Sequence, residues 1–117
     1  MIAVKAAVLA IVVALAPQAP ARHWEYRTER AFAQSITHAG KRDYRCLTLL
    51  WDRESGWNPW AVNQYSGAYG IPQALGHGHP YPLGRYKPQI RWGVRYIHSR
   101  YGHSCQAWSH EMEFGWY

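Results

Sequence analysis

The chain has 117 residues, 48% of them hydrophobic, and a formal net charge of +6 with histidine neutral. This length allows one small domain and excludes two, while the apolar fraction is sufficient for a core. The positive charge suits a polyanionic partner, either nucleic acid or a cell surface that carries acidic polymers.

Residues 1–21 have the features of a secretory signal peptide. Lys5 precedes an apolar run over residues 6–16, and Ala19 and Ala21 offer small residues at both recognition positions of a cleavage site. The run is shorter than the roughly 20 residues of a spanning helix, which argues against an uncleaved anchor. We therefore expect a secreted or cell-wall protein with no stable membrane anchor after cleavage, whose mature domain covers residues 22–117.

Residues 24–39 predict a first helix. The segment contains neither Pro nor Gly, and Gly40 follows it as a stop signal. Ala33 and Ile36 would lie on its buried stripe, whereas Arg30 would face water. We expect this helix to serve packing only.

A second helix is predicted to begin at Asp43, as its cap, and to run to about Glu54. Four residues fall at i, i+3, i+4 and i+7 of this helix: Leu47, Leu50, Trp51 and Glu54. Glu54 therefore lies on the same helical stripe as three apolar residues. Asp52 is directed roughly 160° away from Glu54 around the helix. The apolar stripe therefore runs directly into a carboxyl group.

Residues 56–88 are rich in Gly, Pro, Asn, Ser, Tyr and His, and no helical or strand period persists there. We predict one long ordered loop with at most a short helical turn over residues 71–75, and we expect it to line a cleft. His77 and His79 have no acidic or cysteine partner nearby, which falls short of a zinc site. We accordingly predict neither a metal nor a cofactor.

Pro88 predicts the first residue of a third helix that ends before Gly102. Its buried stripe would be formed by residues at i, i+4, i+7 and i+11: Ile90, Val94, Ile97 and Tyr101. A second face would be cationic, with Arg91, Arg95 and His98.

Residues 105–117 predict a short helix followed by an aromatic end that packs on the core or borders a site. Cys46 and Cys105 are the only cysteines. In an exported chain they would most simply form one disulfide, worth about 4 kcal/mol in the loop-entropy model. Two unpaired buried thiols are the alternative.

Glu54 is the candidate acid. Its place on an apolar stripe, at the C-terminal end of a helix and between Trp51 and Trp57, should favour the protonated carboxyl over the anion. A carboxylic acid that is protonated near neutral pH is what acid-catalysed glycoside cleavage requires. An ordinary last-turn glutamate, solvated or paired with Arg53, is the alternative from position alone.

Four segments resemble, in order, the lytic transglycosylases of the lysozyme-like superfamily. Glu54-Ser55 resembles the Glu-Ser that begins their catalytic signature, and residues 67–73, Gly-Ala-Tyr-Gly-Ile-Pro-Gln, resemble Gly-Ala-x-Gly-Leu-Met-Gln with proline in place of methionine. Residues 90–97 are similar to Ile-x-x-Gly-x-x-Tyr-Leu, and residues 107–110 fall where the family has Ala-Tyr-Asn-Ala. The chain also resembles small secreted or phage-encoded actinobacterial cell-wall lysins and, more distantly, resuscitation-promoting factors.

The resemblance implies a mainly α-helical, lysozyme-like (transglycosylase) domain. In it Glu54 would protonate the β-1,4 glycosidic oxygen between N-acetylmuramic acid and N-acetylglucosamine, then act as base while the muramic 6-hydroxyl closes on its own anomeric carbon. A hydrolytic muramidase would use a second acid. The candidates for that second acid are Asp43, Asp52, Glu111 and Glu113. Since Glu54 is the one clear acid, we expect a lytic transglycosylase, with the hydrolase as the alternative.

By position, the resemblance assigns Gln73 to hydrogen bonding with the substrate, Tyr69 to the cleft wall and Tyr96 to a contact with the acid from across the site. Ser55 and Trp108 complete the expected substrate-binding set. Trp108 replaces a tyrosine, so any hydroxyl contact that the family makes there would have to come from another group, such as Ser109 or His110. Plain core packing is the alternative role of Tyr96 and Trp108.

Three further aromatic residues offer flat apolar faces that suit pyranoside rings: Trp57, Trp60 and Tyr65. The expected partner is the glycan strand of peptidoglycan, not nucleic acid, and we expect a monomer. A non-catalytic peptidoglycan-binding protein on the same fold is a second functional class. A nucleic-acid or membrane binder is a third, and it rests on charge and aromatic content alone.

Overall fold

The computed structural model describes residues 26–37 and 40–117, which form four α-helices and one long loop. The helices are α1, Arg27–Ile36; α2, Gly40–Ser55; α3, Tyr86–Tyr101; and α4, Ser104–Phe114. Extended pairing within these residues is limited to one antiparallel bridge, between Val62 and Tyr69. The predicted mainly α-helical class is confirmed. The predicted signal peptide lies outside the described residues, and no helix of the described part has the length and hydropathy to cross a bilayer.

The core forms where α2, α3 and α4 meet. The three apolar residues of the stripe predicted on α2 are fully buried, as are Ile90 of α3 and Ala107 of α4. Gly93 allows α3 to approach closely, because a Cβ atom there would lie 2.5 Å from Trp51 Cζ2 and 2.9 Å from Pro72 Cγ. The stripe predicted on α3 is confirmed, and so is the helix end at Gly102, which has a φ of 83°.

Two features of the α2 start differ from the sequence prediction. Gly40 does not stop the preceding helix but begins α2. Asp43 does not cap α2; it lies in the first turn, is 7% exposed, and its Oδ1 accepts a hydrogen bond from the backbone N of Cys105 at 3.3 Å. Asp43 therefore satisfies an amide of the first turn of α4, where a negative charge is favourable.

The disulfide between Cys46 and Cys105 is confirmed and joins α2 to α4. It lies one helical turn from Asp43, so a covalent bond and a charged hydrogen bond hold the same end of α4. Closure of a loop of this length restricts mainly the unfolded chain.

The first helix is shorter than predicted at its described ends, and Trp24 and Ala39 lie outside the described residues. Ala33 is buried as expected. Arg30 does not face water: its side chain is 11% exposed, its Nη2 lies 2.7 Å from Asp52 Oδ1, and its guanidinium is 5.1 Å from the Trp57 ring centroid. A carboxylate on the outer face of α2 and a buried indole together draw this arginine inwards.

The long loop runs over residues 56–85, and α3 begins at Tyr86, two residues before the predicted start. Residues 71–75 form turns and no helix. The loop has a small core of its own, made of Tyr69, Ala74 and Tyr81 with Trp92 of α3 packed against it. It is thus ordered by buried side chains as well as by turns.

Candidate active site

Glu54 lies in the last turn of α2 with a partly buried side chain. The helix ends in two successive left-handed residues, Gly56 with a φ of 61° and Trp57 with a φ of 65°. Positive φ is uncommon for a bulky residue. Trp57 is held there by complete burial and by an edge-to-face contact with Trp51, whose ring centroid is 5.2 Å away. The chain therefore turns sharply beside Glu54.

Ser55 joins this helix end to the loop. Its Oγ donates to the backbone carbonyl of Ile71 at 2.7 Å and accepts from the backbone N of Trp57 at 3.1 Å. The Glu-Ser pair and the Gly-Ala-x-Gly-type segment are therefore adjacent, although 16 residues separate Ser55 from Ile71.

Tyr117 makes a second link to the same segment. Its hydroxyl accepts from Trp51 Nε1 at 2.9 Å and donates to the carbonyl of Pro72 at 2.7 Å. Two consecutive carbonyls of the loop, at residues 71 and 72, are thus held from the α2 end and from the tail. Each of these bonds fixes the backbone next to the candidate acid.

Gln89 of α3 makes the third link. It is fully buried, its Oε1 accepts from Ile71 N at 2.9 Å, and its Nε2 donates to the carbonyls of Pro59 at 3.0 Å and Pro82 at 2.9 Å. One carboxamide therefore joins three separate parts of the loop. A fully buried amide with three partners is a satisfied polar group that specifies one arrangement.

Tyr81 completes the support from inside the loop. Its hydroxyl donates to the carbonyl of Tyr69 at 2.7 Å and accepts from Ala74 N at 3.1 Å, and the Tyr69 hydroxyl in return donates to the carbonyl of Tyr81. This reciprocal pair closes the segment that contains Gly70. A Cβ atom at Gly70 would lie 2.7 Å from the Tyr81 ring, so glycine is required for the close approach.

The phenols near Glu54 are held in the neutral form. Burial raises the pKa of Tyr81, and it raises the pKa of Tyr117 well above its usual range; the charge of Glu54 acts in the same direction on both. The Glu54 carboxyl is therefore within electrostatic range of both hydroxyls. Burial also raises the pKa of Tyr96. Neutral phenols remain donors, as the bonds to the loop carbonyls require.

The residues expected to bind substrate lie around this network. Gln73 has a φ of 55°, and its Nε2 donates to the carbonyl of Gly70 at 2.9 Å. Tyr96 stacks on Trp92 at 5.1 Å between centroids and meets the edge of Tyr117 at 5.9 Å. Tyr69 is buried, and Trp108 is half-buried against the core.

Direct contacts of these residues with a substrate stay predictions. Ser55 and Tyr69 use their hydroxyls within the protein, whereas Gln73 keeps its Oε1 without a partner among the described residues. Trp57, considered for sugar stacking, is fully buried and has no face to offer. Trp60 and Tyr65 are each 65% exposed.

The other carboxylates proposed as a second acid have definite places. Asp43 stands eleven residues before Glu54 on α2, about 16 Å away by helical rise. Asp52 pairs with Arg30 on the outer face, and Glu113 is exposed on α4. Glu111 is 2% exposed, and its Oε2 pairs with Arg53 Nε at 3.1 Å, while its Oε1 is buried without a hydrogen-bond partner in the described part of the chain.

The two loop histidines contact different aromatic side chains. His77 contacts the edges of Trp92 and Tyr96 at 5.3 and 5.0 Å between centroids, and His79 contacts Tyr69 at 4.8 Å. Within residues 26–37 and 40–117 no three His, Cys, Asp or Glu side chains are grouped so that they could hold a metal ion.

The sequence pattern does not predict the loop anchors. Gln89 stands one residue before the buried stripe of α3, and Tyr81 lies in a segment without helical or strand period. Glutamine next to an apolar stripe is a signal for a buried amide only when its partners are known, and here all three lie in the loop. Tyr117 was expected to pack on the core or border a site, and it does pack on the core.

Comparison of the chain with protein-family models, with curated proteins and with solved structures finds no significant match.

Proposed function

We propose that the protein is an exported lytic transglycosylase with a lysozyme-like fold. It would cut peptidoglycan between N-acetylmuramic acid and N-acetylglucosamine, with Glu54 as acid and base. The observation that carries the proposal is the bond from Ser55 to Ile71, which joins two of the segments that resemble the family. Gly93, in the third segment, packs against Pro72 of the second segment and against Trp51, which lies one helical turn before Glu54 on α2.

In the proposed reaction the Glu54 carboxyl gives its proton to the glycosidic oxygen as the bond from that oxygen to the muramic anomeric carbon breaks. The resulting carboxylate then takes the proton of the muramic 6-hydroxyl while the oxygen of that group bonds to the anomeric carbon. The proton therefore returns to Glu54, and no water is consumed. General acid–base catalysis of this kind typically contributes about 10²–10⁴-fold.

The places of the other carboxylates favour this reaction over hydrolysis. Hydrolytic glycosidases hold two carboxyl groups roughly 5–9.5 Å apart. Asp43 lies beyond that range, and Asp52 is directed away from Glu54 and paired. Glu111 is paired with Arg53 and only 2% of the residue is exposed to solvent. Three of the four candidates, Asp43, Asp52 and Glu111, therefore supply no accessible second acid.

The test is Glu54→Gln, which preserves shape and removes the transferable proton. We expect release of soluble muropeptides from purified peptidoglycan to fall at least about 100-fold. Glu113→Gln, at an exposed glutamate of α4, is the matched control and should act as the parent. Mass spectrometry of the fragments separates the reactions, because the anhydro product is one water lighter than the hydrolytic product.

Three outcomes would contradict the proposal. Undiminished release of muropeptides by Glu54→Gln would exclude Glu54 as the catalytic acid. Reducing-end products would indicate a muramidase. Binding of the parent protein to peptidoglycan without any release would indicate the non-catalytic class.

A further inference from the structure

The loop differs in charge from the rest of the chain. The protein carries a net charge of +6, yet no Asp, Glu, Lys or Arg stands between Glu54 and Arg85. This uncharged stretch exposes large aromatic and apolar side chains, Trp60 and Tyr65 most of all. An exposed aromatic surface without charge is unsuited to nucleic acid or to an anionic lipid headgroup, both of which need cationic contacts.

Trp60 is exposed and at the same time fixed. Gly84, with a φ of 79°, lies directly against the six-membered ring, since a Cβ atom there would be 2.3 Å from Trp60 Cζ2 and 2.5 Å from Cε2 and Cη2. The backbone N of Gly84 donates to the carbonyl of Pro59 at 2.9 Å, so the two segments are tied together. The ring therefore rests on a glycine and leaves 65% of the residue open to solvent.

Two carboxamides on the same stretch have their oxygens occupied by backbone donors. Asn58 Oδ1 accepts from Trp60 N at 2.9 Å, and Asn63 Oδ1 accepts from Tyr65 N at 2.9 Å and Ser66 N at 3.1 Å. These backbone donors identify the oxygen of each amide. Each Nδ2 is then left without a hydrogen-bond partner among the described residues, and neither is buried.

We propose that Trp60 is a stacking platform for one N-acetylated pyranose of a glycan strand, with Asn58 Nδ2 as a donor to a hydroxyl or acetyl oxygen of that sugar. A fixed indole matches the flat C–H face of a pyranose and loses little freedom on binding. Neutral amide donors match its oxygens. The identity of the glycan as peptidoglycan rests on the proposed function; the platform itself rests on the ring, the glycine and the amides.

The experiment measures binding in the Glu54→Gln background, so that turnover does not remove the ligand. Purified peptidoglycan is sedimented with the protein, and a soluble tetramer of N-acetylglucosamine is titrated in parallel. Adding Trp60→Ala should weaken binding about tenfold, the upper range of one aromatic contact. Trp116→Ala, at a tryptophan 39% exposed in the tail, is the matched control and should leave binding unchanged.

A second pair of variants tests the packing of the Trp60 ring on Gly84 without removing the ring. Gly84→Ala places a methyl group inside the ring position and should weaken binding as much as Trp60→Ala does. Gly76→Ala introduces the same backbone strain, at a φ of 77°, but its Cβ would meet nothing within 4 Å. It should bind as the parent does. Its decrease in melting temperature measures the effect of the backbone strain alone.

Equal binding by Trp60→Ala and its parent would overturn the platform, and so would equal losses in Trp60→Ala and Trp116→Ala. Neither result touches the cleavage assay. Conversely, if Glu54→Gln still released muropeptides while Trp60→Ala lost tetramer binding, the platform would stand and the proposed catalytic role would fall.

Discussion

The helices and the loop are held by different forces. The helical part buries apolar stripes and is cross-linked by Cys46 and Cys105, whereas residues 56–85 are held largely by side-chain hydrogen bonds to their backbone. Burial is non-directional and tolerates exchange between apolar residues. Hydrogen bonds to named carbonyls are directional. The scaffold should therefore tolerate substitution in its core better than the loop tolerates loss of an anchor, and the loop is where the backbone beside Glu54 is positioned.

The largest effect is expected from removing the cross-link of the scaffold. Replacing both Cys46 and Cys105 by Ala should lower the free energy of unfolding by about 4 kcal/mol, because the unfolded chain regains the freedom that the closed loop denies it. Denaturant unfolding measures this. Muropeptide release well below the melting temperature should persist, since the loop anchors are separate from the disulfide. Loss of release in a folded variant would show that scaffold and loop are not independent.

The next effect is expected at the main loop anchor. Gln89→Leu leaves Ile71 N and the carbonyls of Pro59 and Pro82 without partners, at a cost of about 3 kcal/mol or more. Hydrogen exchange should show faster exchange over residues 56–84 than in the helices. Gln106→Leu, at an exposed glutamine of α4, is the control and should stay within about 0.5 kcal/mol of the parent. If Gln89→Leu accelerated hydrogen exchange equally in the helices and in the loop, the proposed difference between the two parts would be wrong.

Tyr117→Phe tests the link from the tail with a smaller change. It removes one hydroxyl and leaves Trp51 Nε1 and the Pro72 carbonyl without that partner, which should destabilise the fold by about 2 kcal/mol. Muropeptide release should fall with little change in glycan binding, because the hydroxyl positions the backbone and both of its hydrogen bonds are made within the protein. Tyr65→Phe, at an exposed phenol, is the control. A variant that binds less and cleaves normally would oppose this assignment.

The smallest expected effect is a loss of stability at alkaline pH, caused by titration of the buried phenol groups. The pKa values of Tyr81 and Tyr117 are raised in the folded state, so the folded protein holds these protons more tightly than the unfolded chain. Their contribution to stability is complete below about pH 10, the unfolded value, and is lost as the pH rises towards the folded values. Melting temperatures across alkaline pH should fall, and less steeply in Tyr81→Phe. An equal slope in that variant would contradict the assignment.

The helices were largely predictable because each buries a periodic stripe. Leu47, Leu50 and Trp51 are fully buried as the spacing on α2 indicated, and Gly102 ends α3 because its φ is positive. Two of the errors fall at charged residues. Asp43 and Arg30 were assigned from their local positions, whereas their partners, Cys105 and Asp52, are 62 and 22 residues away. A pattern within one helix cannot predict partners that lie so far away along the chain.

The candidate site divides in the same way. The place of Glu54 at the end of an apolar stripe followed from helical geometry, and the disulfide followed from two cysteines in a chain expected to be exported. The anchors Gln89, Tyr81 and Tyr117 did not follow, since a glutamine or tyrosine can equally face solvent. Trp57 and Trp60 illustrate the limit: three residues apart, one is fully buried and the other is 65% exposed.

By itself the sequence determined the helical class, the buried stripes, the paired cysteines and a carboxyl at a helix end, because each depends on spacing along one element or on composition. Only the tertiary structure decided which polar side chains hold the loop and which face outwards. The physical reason is that a hydrogen bond needs both partners within about 3 Å and aligned. For Ser55 and Ile71, for Gln89 and Pro59, and for Gly84 under Trp60, that proximity arises only when distant parts of the chain are folded together.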